Sequence, residues 1–216
     1  MKQRSGNKEA PIRADIYLVI LDRIVRGDLA AGVRIKESRL ADELGASRTP
    51  LREALIRLEQ EGFVRSELAH GFSVEPLCGR EVRETYPILW TLEAFALRTS
   101  GNAILSLLGD LSEINVALAD AKSPQERLTL DAAWHEKLIS NSPNRRLAGI
   151  ISKLRMSIRR YEHMYMSDPV LFLESARQHQ QIIDALQARQ FDKAQQVLEE
   201  NWRDSMELLL LRLGEP

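Results

Sequence analysis

The segment from Glu37 to Gly62 constrains the fold most, because its apolar pattern encodes two short helices separated by one tight turn. The first helix runs from about Glu37 to Leu44, and Gly45 ends it. Pro50 lies in the first turn of the next helix, where its missing N–H costs nothing. That second helix buries the face formed by Leu51, Ala54, Leu55 and Leu58.

The flanking residues extend this pair into a winged helix-turn-helix. From Ile12 an apolar i, i+4, i+7 pattern predicts a preceding helix that stops at Gly27. Residues 33–35 are typical of a very short strand. Residues 63–64 and 72–74 predict two further strands joined as a hairpin, which forms the wing.

After Pro76 the sequence carries no convincing strand. Apolar periodicity returns at Val82 and Leu89, and later helices are predicted near 104–120, 124–140, 145–164, 170–188 and 191–212. These segments predict an antiparallel all-α bundle. We therefore expect a mainly α protein with a winged domain over residues 1–77 and a helical domain over residues 78–216.

The composition of the chain indicates a cellular compartment but does not identify a binding partner. The formal net charge is -1, and residues 1–77 carry 13 Lys and Arg against 12 Asp and Glu, a bias too weak to indicate DNA by itself. The single cysteine, Cys78, cannot form an intrachain disulfide and favours a reducing compartment. No signal peptide is visible and the apolar runs are short, so we expect a cytoplasmic protein without a membrane partner.

The start of the second short helix carries the residues best suited to reading DNA. Arg48 and Arg52 are four residues apart and therefore project from the same face, together with Thr49. A recognition helix places its N-terminal residues against base edges in the major groove, where arginine binds guanine through two hydrogen bonds. An ordinary solvated helix start is the alternative interpretation.

The helical domain offers a candidate metal site. Asp131 and His135 are four residues apart on one helix, and His179 lies on another. Such residues on facing helices can bind Zn, Ni or Mn inside a bundle. A helix ion pair and a hydrogen-bonded histidine are the alternatives.

The N-terminal motifs resemble those of the GntR family of bacterial regulators. The resemblance rests on Gly27 to Gly32, Leu40 to Leu55, Arg57 to Val64 and His70 to Val74, with Ala31 standing where the family usually has proline. It implies DNA contacts from Arg39, Arg48, Thr49 and Arg52. It also implies that His70 and Gly71 form a wing tip that approaches the minor groove.

The C-terminal motifs resemble the FCD domain of the FadR subfamily, carried by residues 86–93, 131–139, 142–147 and 179–186. The resemblance implies a divalent metal held by one Asp and three His. Asp131, His135 and His179 match the first three ligands, whereas the fourth position falls on Asn201, a weaker neutral ligand. The family's effector-binding arginine position holds Leu89, so Arg155 and Arg159, one turn apart, are the candidate effector residues, with a solvated face as the alternative.

Together these features predict a transcription regulator, and the resemblance implies that it is a homodimer and, by default, a repressor. It would bind double-stranded DNA at a pseudo-palindromic operator and sense a small-molecule effector, a carboxylate at a metal-containing pocket. One alternative is a metal-free regulator that senses an apolar or acyl ligand. The other is a metal-dependent enzyme, for which no nucleophile motif or phosphate loop is visible.

Overall fold

The computed structural model describes residues 13–67 and 71–215. The chain divides into two compact units, Met1–Leu77 and Cys78–Pro216. Helices dominate both units, and the described residues form one sheet, which has two strands. The predicted fold class, a winged helix-turn-helix followed by an all-helical domain, is confirmed.

The first unit is the predicted winged helix-turn-helix. Its elements are α1 (Arg13–Arg26), α2 (Glu37–Leu44), α3 (Arg48–Gln60), β1 (Val64–Glu67) and β2 (Gly71–Val74). Gly45 ends α2 with a φ of 61°, a left-handed conformation that glycine adopts without steric cost. Ile20, Leu51, Leu55 and Leu58 are fully buried and hold α1 and α3 together.

The wing is a short antiparallel hairpin that a third segment extends. Val64 pairs with Val74, and Glu67 pairs with Gly71. Arg34 forms an isolated bridge with Ser73, so the predicted strand at 33–35 is present as a single bridge. The wing is thereby tied to the chain that leads into α2. His70, predicted at the wing tip, lies outside the described residues.

The second unit is helical throughout the residues that are described. It contains α4 (Gly79–Ser100), a 3-10 segment (Gly101–Leu107), α5 (Leu108–Asp120), α6 (Pro124–Ile139), α7 (Arg145–Met166), α8 (Pro169–Gln187) and α9 (Phe191–Arg212). The helix predicted from residue 104 begins as 3-10 turns and becomes α-helical at Leu108. The other predicted helices of this unit agree with the observed ones to within two residues.

Polar residues between these helices cap the next helix. Ser123 accepts a hydrogen bond from the N–H of Glu126, and Asn144 accepts one from Arg146. Asp168 accepts from both Val170 and Leu171 at the start of α8. Each cap satisfies N–H groups that have no partner inside the helix, which explains why α6, α7 and α8 begin directly after these residues.

The helices of this unit converge on a centre that is polar. α4 packs against α9 and α7, α6 packs against α7, and α8 packs against α9. Each of these five helices contributes a buried polar residue: Glu93 from α4, His135 from α6, Arg155 from α7, His179 from α8 and Asn201 from α9. Buried polar groups persist only where they find partners or bind ions, so this centre is the candidate site of the unit.

One stretch among the described residues, Gly79–Asp120, passes for a membrane span by length and composition. The mean hydropathy of its most apolar window is 1.2, and 22% of that window is buried. The stretch comprises α4, the 3-10 segment and α5, and it includes Glu93, which is fully buried in the polar centre. A single such window is weak evidence for a membrane protein.

Candidate nucleic-acid interface and candidate metal centre

The predicted DNA contacts that lie within the described residues surround one concavity on the winged unit. Its volume is about 600 Å³, and it lies between α2, α3 and the start of β2. Its lining residues are Arg34, Ile35, Lys36, Glu37, Ser38, Arg39, Arg48, Thr49, Arg52 and Gly71. The structure therefore brings together every predicted DNA contact that lies within the described residues.

Two cations of this concavity were not predicted. Arg34 and Lys36 flank Ile35, which is buried, and both of their side chains are exposed. The alternation of a short strand places residues on either side of a buried one outward. The short strand predicted at 33–35 therefore held the signal that could have identified these two residues.

Carboxylates hold two of the predicted DNA-binding arginines. Glu43 binds Arg23 at 2.8 Å and Arg39 at 2.9 Å, and hydrogen bonds from these two arginines lower the pKa of Glu43. Glu37 lies 3.6 Å from Nε of Arg52. Glu37 is the one acid among the described residues that line the concavity. Its negative charge partly offsets the positive charge of the arginines and the lysine around it.

In the helical unit, Asp131, His135 and His179 bring their potential ligand atoms to within 4.8 Å of one another. Oδ1 of Asp131 lies 4.0 Å from Nε2 of His135 and 3.7 Å from Nε2 of His179. All three side chains are buried. In a tetrahedral zinc site with bonds of about 2.0–2.2 Å, the ligand atoms lie about 3.3–3.6 Å apart. The Asp131–His179 spacing is close to that value, and the Asp131–His135 spacing is somewhat wider.

His135 is oriented by Glu93 on α4. Nδ1 of His135 lies 2.7 Å from Oε2 of Glu93, and the same oxygen accepts a hydrogen bond of 2.8 Å from Nε1 of Trp202. Burial alone would raise the pKa of Glu93, but His135 and Arg155 together bring it below its ordinary value. The carboxylate oxygen can only accept, so Nδ1 of His135 is the donor in this contact, and the opposite ring nitrogen, Nε2, faces Asp131.

Arg155 is buried among three carboxylates, so the solvated-face alternative is wrong for this residue. Its Nη2 donates to Asp131 Oδ2 at 3.1 Å and to Glu162 Oε1 at 2.9 Å, and its Nη1 lies 3.6 Å from Glu93 Oε1. Burial opposes the charge of Arg155, but these carboxylates outweigh burial and raise its pKa. Burial raises the pKa of Glu162 above its ordinary value, and the positive charge of Arg155 offsets only part of this increase.

His179 is fully buried, and none of the described residues forms a hydrogen bond with either of its ring nitrogens. Its ring stacks on Trp134 with the centroids 3.6 Å apart and the planes 4° from parallel. Burial, followed by the charges of His135 and Arg155, lowers the pKa of His179. The ring is therefore neutral and has a free lone pair, which is the form that binds metal.

Asn201 and Arg159 lie at the edges of this cluster. Asn201 is buried, and its Nδ2 donates to Gln178 Oε1 at 2.8 Å and to Ser175 Oγ at 3.4 Å. Arg159 is half-buried and lines a cavity on α7 beside Arg155. Of the two predicted effector residues, one lies inside the cluster and the other lies next to it.

Two small cavities adjoin the cluster. The first has a volume of about 20 Å³, which is room for about one water molecule. Its lining includes Asp131, His135, Glu162 and Asn201. The second is about 60 Å³ and is lined in part by Arg155, Arg159 and Glu162. Glu162 lines both cavities and is paired with Arg155.

Neither Glu93 nor Glu162 was predicted as a site residue. Glu93 belongs to the Leu92-Glu93 pair within the residues that carry the FCD resemblance. Glu162 lies seven residues after Arg155, on the same face of α7, a spacing of two helical turns. The spacing between Arg155 and Glu162 is visible in the sequence without any resemblance. It does not reveal which other helices pack against that face of α7.

Two family models match the chain. The model of the bacterial regulatory proteins of the gntR family matches residues 12–74, and the model of the FCD domain matches residues 84–204. The chain belongs to the GntR family and carries an FCD domain. The winged unit is thus the GntR DNA-binding domain, and the polar centre lies within the FCD domain.

Curated relatives cover most of this GntR protein. The HTH-type transcriptional regulator YdhC of Bacillus subtilis is 26% identical over 200 residues, which are 88% of this chain and 87% of YdhC. A probable D-xylose utilization operon transcriptional repressor of Paenarthrobacter nicotinovorans is 28% identical over 182 residues, 83% of this chain and 80% of the repressor. The transcriptional repressor RspR of Escherichia coli is 24% identical over 209 residues, 93% and 90% of the two chains.

Solved structures share the fold. McbR/YncC of E. coli superposes with a TM-score of 0.75 at 22% identity and covers 93% of this chain and 98% of its own. A GntR regulator of Rhodococcus sp. RHA1 gives a TM-score of 0.74 at 22% identity, covering 92% and 97%. The family and its relatives are transcription regulators, so the protein is a DNA-binding regulator, and the enzyme alternative is wrong.

Proposed function

We propose that this GntR protein is a cytoplasmic repressor of the FadR subfamily. It binds a pseudo-palindromic operator as a homodimer, and its FCD domain binds a divalent metal ion and a small carboxylate effector. The observation that carries the sensing part is the convergence of Asp131, His135 and His179 to within 4.8 Å in a buried centre. Repression follows the functions in the names of two relatives, RspR and the xylose operon repressor.

The proposed DNA contacts are Arg39, Arg48, Thr49, Arg52, His70 and Gly71. Arg48, Thr49 and Arg52 are exposed at the start of α3, where a recognition helix meets base edges. Effector binding would favour one state of the protein and so change the placement of these contacts on the operator.

A homodimer would present two recognition helices to major grooves about 34–36 Å apart, which matches a pseudo-palindromic operator. On α4, Ile88 is 48% exposed and Phe95 is 38% exposed. These residues are seven apart and therefore share one helix face. An exposed apolar face supports contact between two copies of the chain.

The residues of the polar centre fit a divalent cation. The two ring nitrogens of His179 form no hydrogen bond with any of the described residues. A buried polar atom without a hydrogen bond costs free energy, and a bound cation would remove that cost for one of the nitrogens. Glu93, Asp131 and Glu162 together face one guanidinium, that of Arg155, so three carboxyl groups surround a single arginine at this centre. Imidazole and carboxylate donors suit Zn, Ni or Mn. The bound ion would supply a positive centre for oxygen atoms of the effector.

Arg155 and Arg159 are the proposed contacts for the effector carboxylate. Both line the cavity of about 60 Å³, and Glu162 lies between it and the cavity at the metal centre. An incoming carboxylate would replace Glu162 on Arg155, because both groups accept the same N–H donors. The second cavity presents the guanidinium groups of Arg155 and Arg159, which favours a small oxygen-rich anion over the apolar or acyl ligand of the alternative proposal.

Metal content measured by mass spectrometry on untagged protein tests the metal centre. We expect near-stoichiometric metal in the wild type and loss of that metal in the double variant His135→Ala/His179→Ala. Operator binding in a gel shift is measured in parallel, because that variant leaves the winged unit unchanged. Metal-free wild type, or equal metal in both proteins, would support the metal-free alternative instead.

The DNA assignment has its own test, a gel shift with genomic operator fragments. We expect Arg52→Ala to reduce discrimination between operator and unrelated DNA by about 1–3 kcal/mol for each bidentate arginine–guanine contact that is lost. Intact sequence-specific binding by Arg52→Ala would show that the contact assignment is wrong.

A further inference from the structure

Asn201 lines the same small cavity as Asp131 and His135 and is only 3% exposed. Its amide has two chemically opposite ends, an oxygen that can bind a cation and an NH2 group that cannot. The end that faces the cavity therefore decides whether Asn201 can complete the candidate metal centre. The hydrogen-bond partners of a buried amide determine that orientation.

On one side, Gln178 determines which end of Asn201 it can meet. Oδ2 of Asp204 accepts a hydrogen bond of 2.7 Å from Nε2 of Gln178, and an ionised carboxylate can only accept. The oxygen of Gln178 is therefore directed at Asn201, where it accepts from Nδ2 at 2.8 Å. Gln178 is 4% exposed, so water offers it no other partner. A reversed Asn201 would place two acceptors against each other.

On the other side, Ser175 makes the same demand. Its hydroxyl has one hydrogen, which it donates to Oδ1 of Asp131 at 3.3 Å. Oγ of Ser175 can then only accept from Asn201, and Nδ2 of Asn201 lies 3.4 Å away. Both hydrogens of the Asn201 amide thus face acceptors. Its oxygen is the end that these two neighbours leave free.

We propose that Asp204, Gln178 and Asn201 form a positioning relay that presents the Asn201 oxygen to the metal centre. The proposal rests on the metal centre proposed above. The donor set then has two imidazole nitrogens, from His135 and His179, and two oxygens. Oxygen donors suit Mn²⁺, whereas an additional imidazole suits Zn²⁺ and Ni²⁺. The Asn201 position therefore narrows the preference for Zn²⁺ over Mn²⁺.

Metal affinities of the full-length protein test the relay. Metal is removed with a chelator, and Mn²⁺ and Zn²⁺ are titrated separately in competition with a chromophoric chelator. Asp204→Leu removes the acceptor that holds Gln178, so Asn201 can reverse, and we expect Mn²⁺ affinity to fall by about tenfold or more. Asp204→Asn keeps an acceptor oxygen and should stay close to the wild type.

A rescue variant separates orientation from general damage to the fold. In Asn201→Asp/Asp204→Leu, the new aspartate offers oxygen from either orientation, so we expect Mn²⁺ affinity to return to the wild-type value or above. Asn201→His should raise the ratio of Zn²⁺ to Mn²⁺ affinity. Thermal melts of each metal-free variant confirm folding.

Each contrary outcome has a distinct meaning. Wild-type Mn²⁺ affinity in Asp204→Leu, or no rescue in the double variant, overturns the relay while leaving the metal centre intact. An unchanged Zn²⁺ to Mn²⁺ ratio in Asn201→His also overturns it. Wild-type protein whose metal binding does not depend on His135 and His179 overturns both proposals together.

Discussion

Nδ1 of His135 lies 2.7 Å from Oε2 of Glu93, although 42 residues separate them in the chain. The pair is buried, and Trp202 donates to the same carboxylate oxygen. This contact directs the opposite ring nitrogen of His135 towards Asp131. A histidine held in this way by a carboxylate is a more basic metal ligand. The carboxylate stabilises the positive charge that develops on the imidazole ring when the ring donates its electron pair to a metal ion.

Glu93→Gln tests the contact between Glu93 and the candidate metal ligand His135. The amide oxygen can still accept a hydrogen bond from His135, so the fold should persist, but the negative charge is removed. We expect metal affinity to fall by about 10–100-fold. Competition with a chromophoric chelator measures it, with Glu113→Gln, on the exposed surface of α5, as the charge-matched control. Equal affinity in the two variants would contradict the role given to Glu93.

Arg34→Ala and Lys36→Ala test the two cations that flank Ile35 at the concavity. Because we expect both side chains to bind phosphates, each variant should weaken binding to operator and unrelated DNA alike. The slope of log affinity against log salt should become less steep by about 0.9 for each phosphate that the variant no longer neutralises. Fluorescence anisotropy over a salt series measures this slope. Arg80→Ala, an exposed arginine of the other unit, is the control.

An unchanged salt slope in both variants would show that Arg34 and Lys36 do not reach the DNA. A weaker affinity for the operator alone would instead indicate contacts with bases. Arg52→Ala provides the comparison for that second outcome, since we expect it to change discrimination between sequences more than it changes the salt slope.

Glu37→Gln tests the acid that lies 3.6 Å from Nε of Arg52. The carboxylate restrains Arg52 and repels phosphates, so its removal should strengthen binding to unrelated DNA more than binding to the operator. The specificity ratio, measured by anisotropy with both DNAs at one salt concentration, should therefore fall. Glu113→Gln again removes one charge far along the chain. A specificity ratio that matches this control would refute the prediction.

Asp168→Asn tests the cap of α8 through its pH dependence. Hydrogen bonds from the N–H groups of Val170 and Leu171, aided by Arg212, lower the pKa of Asp168 below its ordinary value of 3.8. A lowered pKa in the folded state means that the charge contributes stability above pH 3.8 and that this contribution disappears as the pH falls through the folded-state pKa. The wild type should therefore exceed the variant in stability near pH 6, and the difference should shrink towards pH 3.

Urea unfolding of wild type and Asp168→Asn at both pH values measures this difference. The other carboxylates titrate in both proteins, so their contributions cancel in the comparison. A difference in the free energy of unfolding that stays constant between the two pH values would show that the charge of Asp168 does not stabilise α8.

The sequence by itself determined the helices, the wing and the helix face that carries Arg48 and Arg52. Arg48 and Arg52 share a face because four residues make about one helical turn, whatever the rest of the fold does. The same rule placed Asp131 beside His135. These relationships lie within one element, so spacing alone predicts them.

Only the tertiary structure decided which buried faces meet. Arg155 was predicted to bind an effector, yet it lies among Asp131, Glu162 and Glu93, two of which belong to other helices. The orientation of Asn201 likewise depends on Gln178, 23 residues away. Helical periodicity specifies the face that turns inward, but contacts across a bundle depend on how several helices pack at once, and no single segment encodes that arrangement.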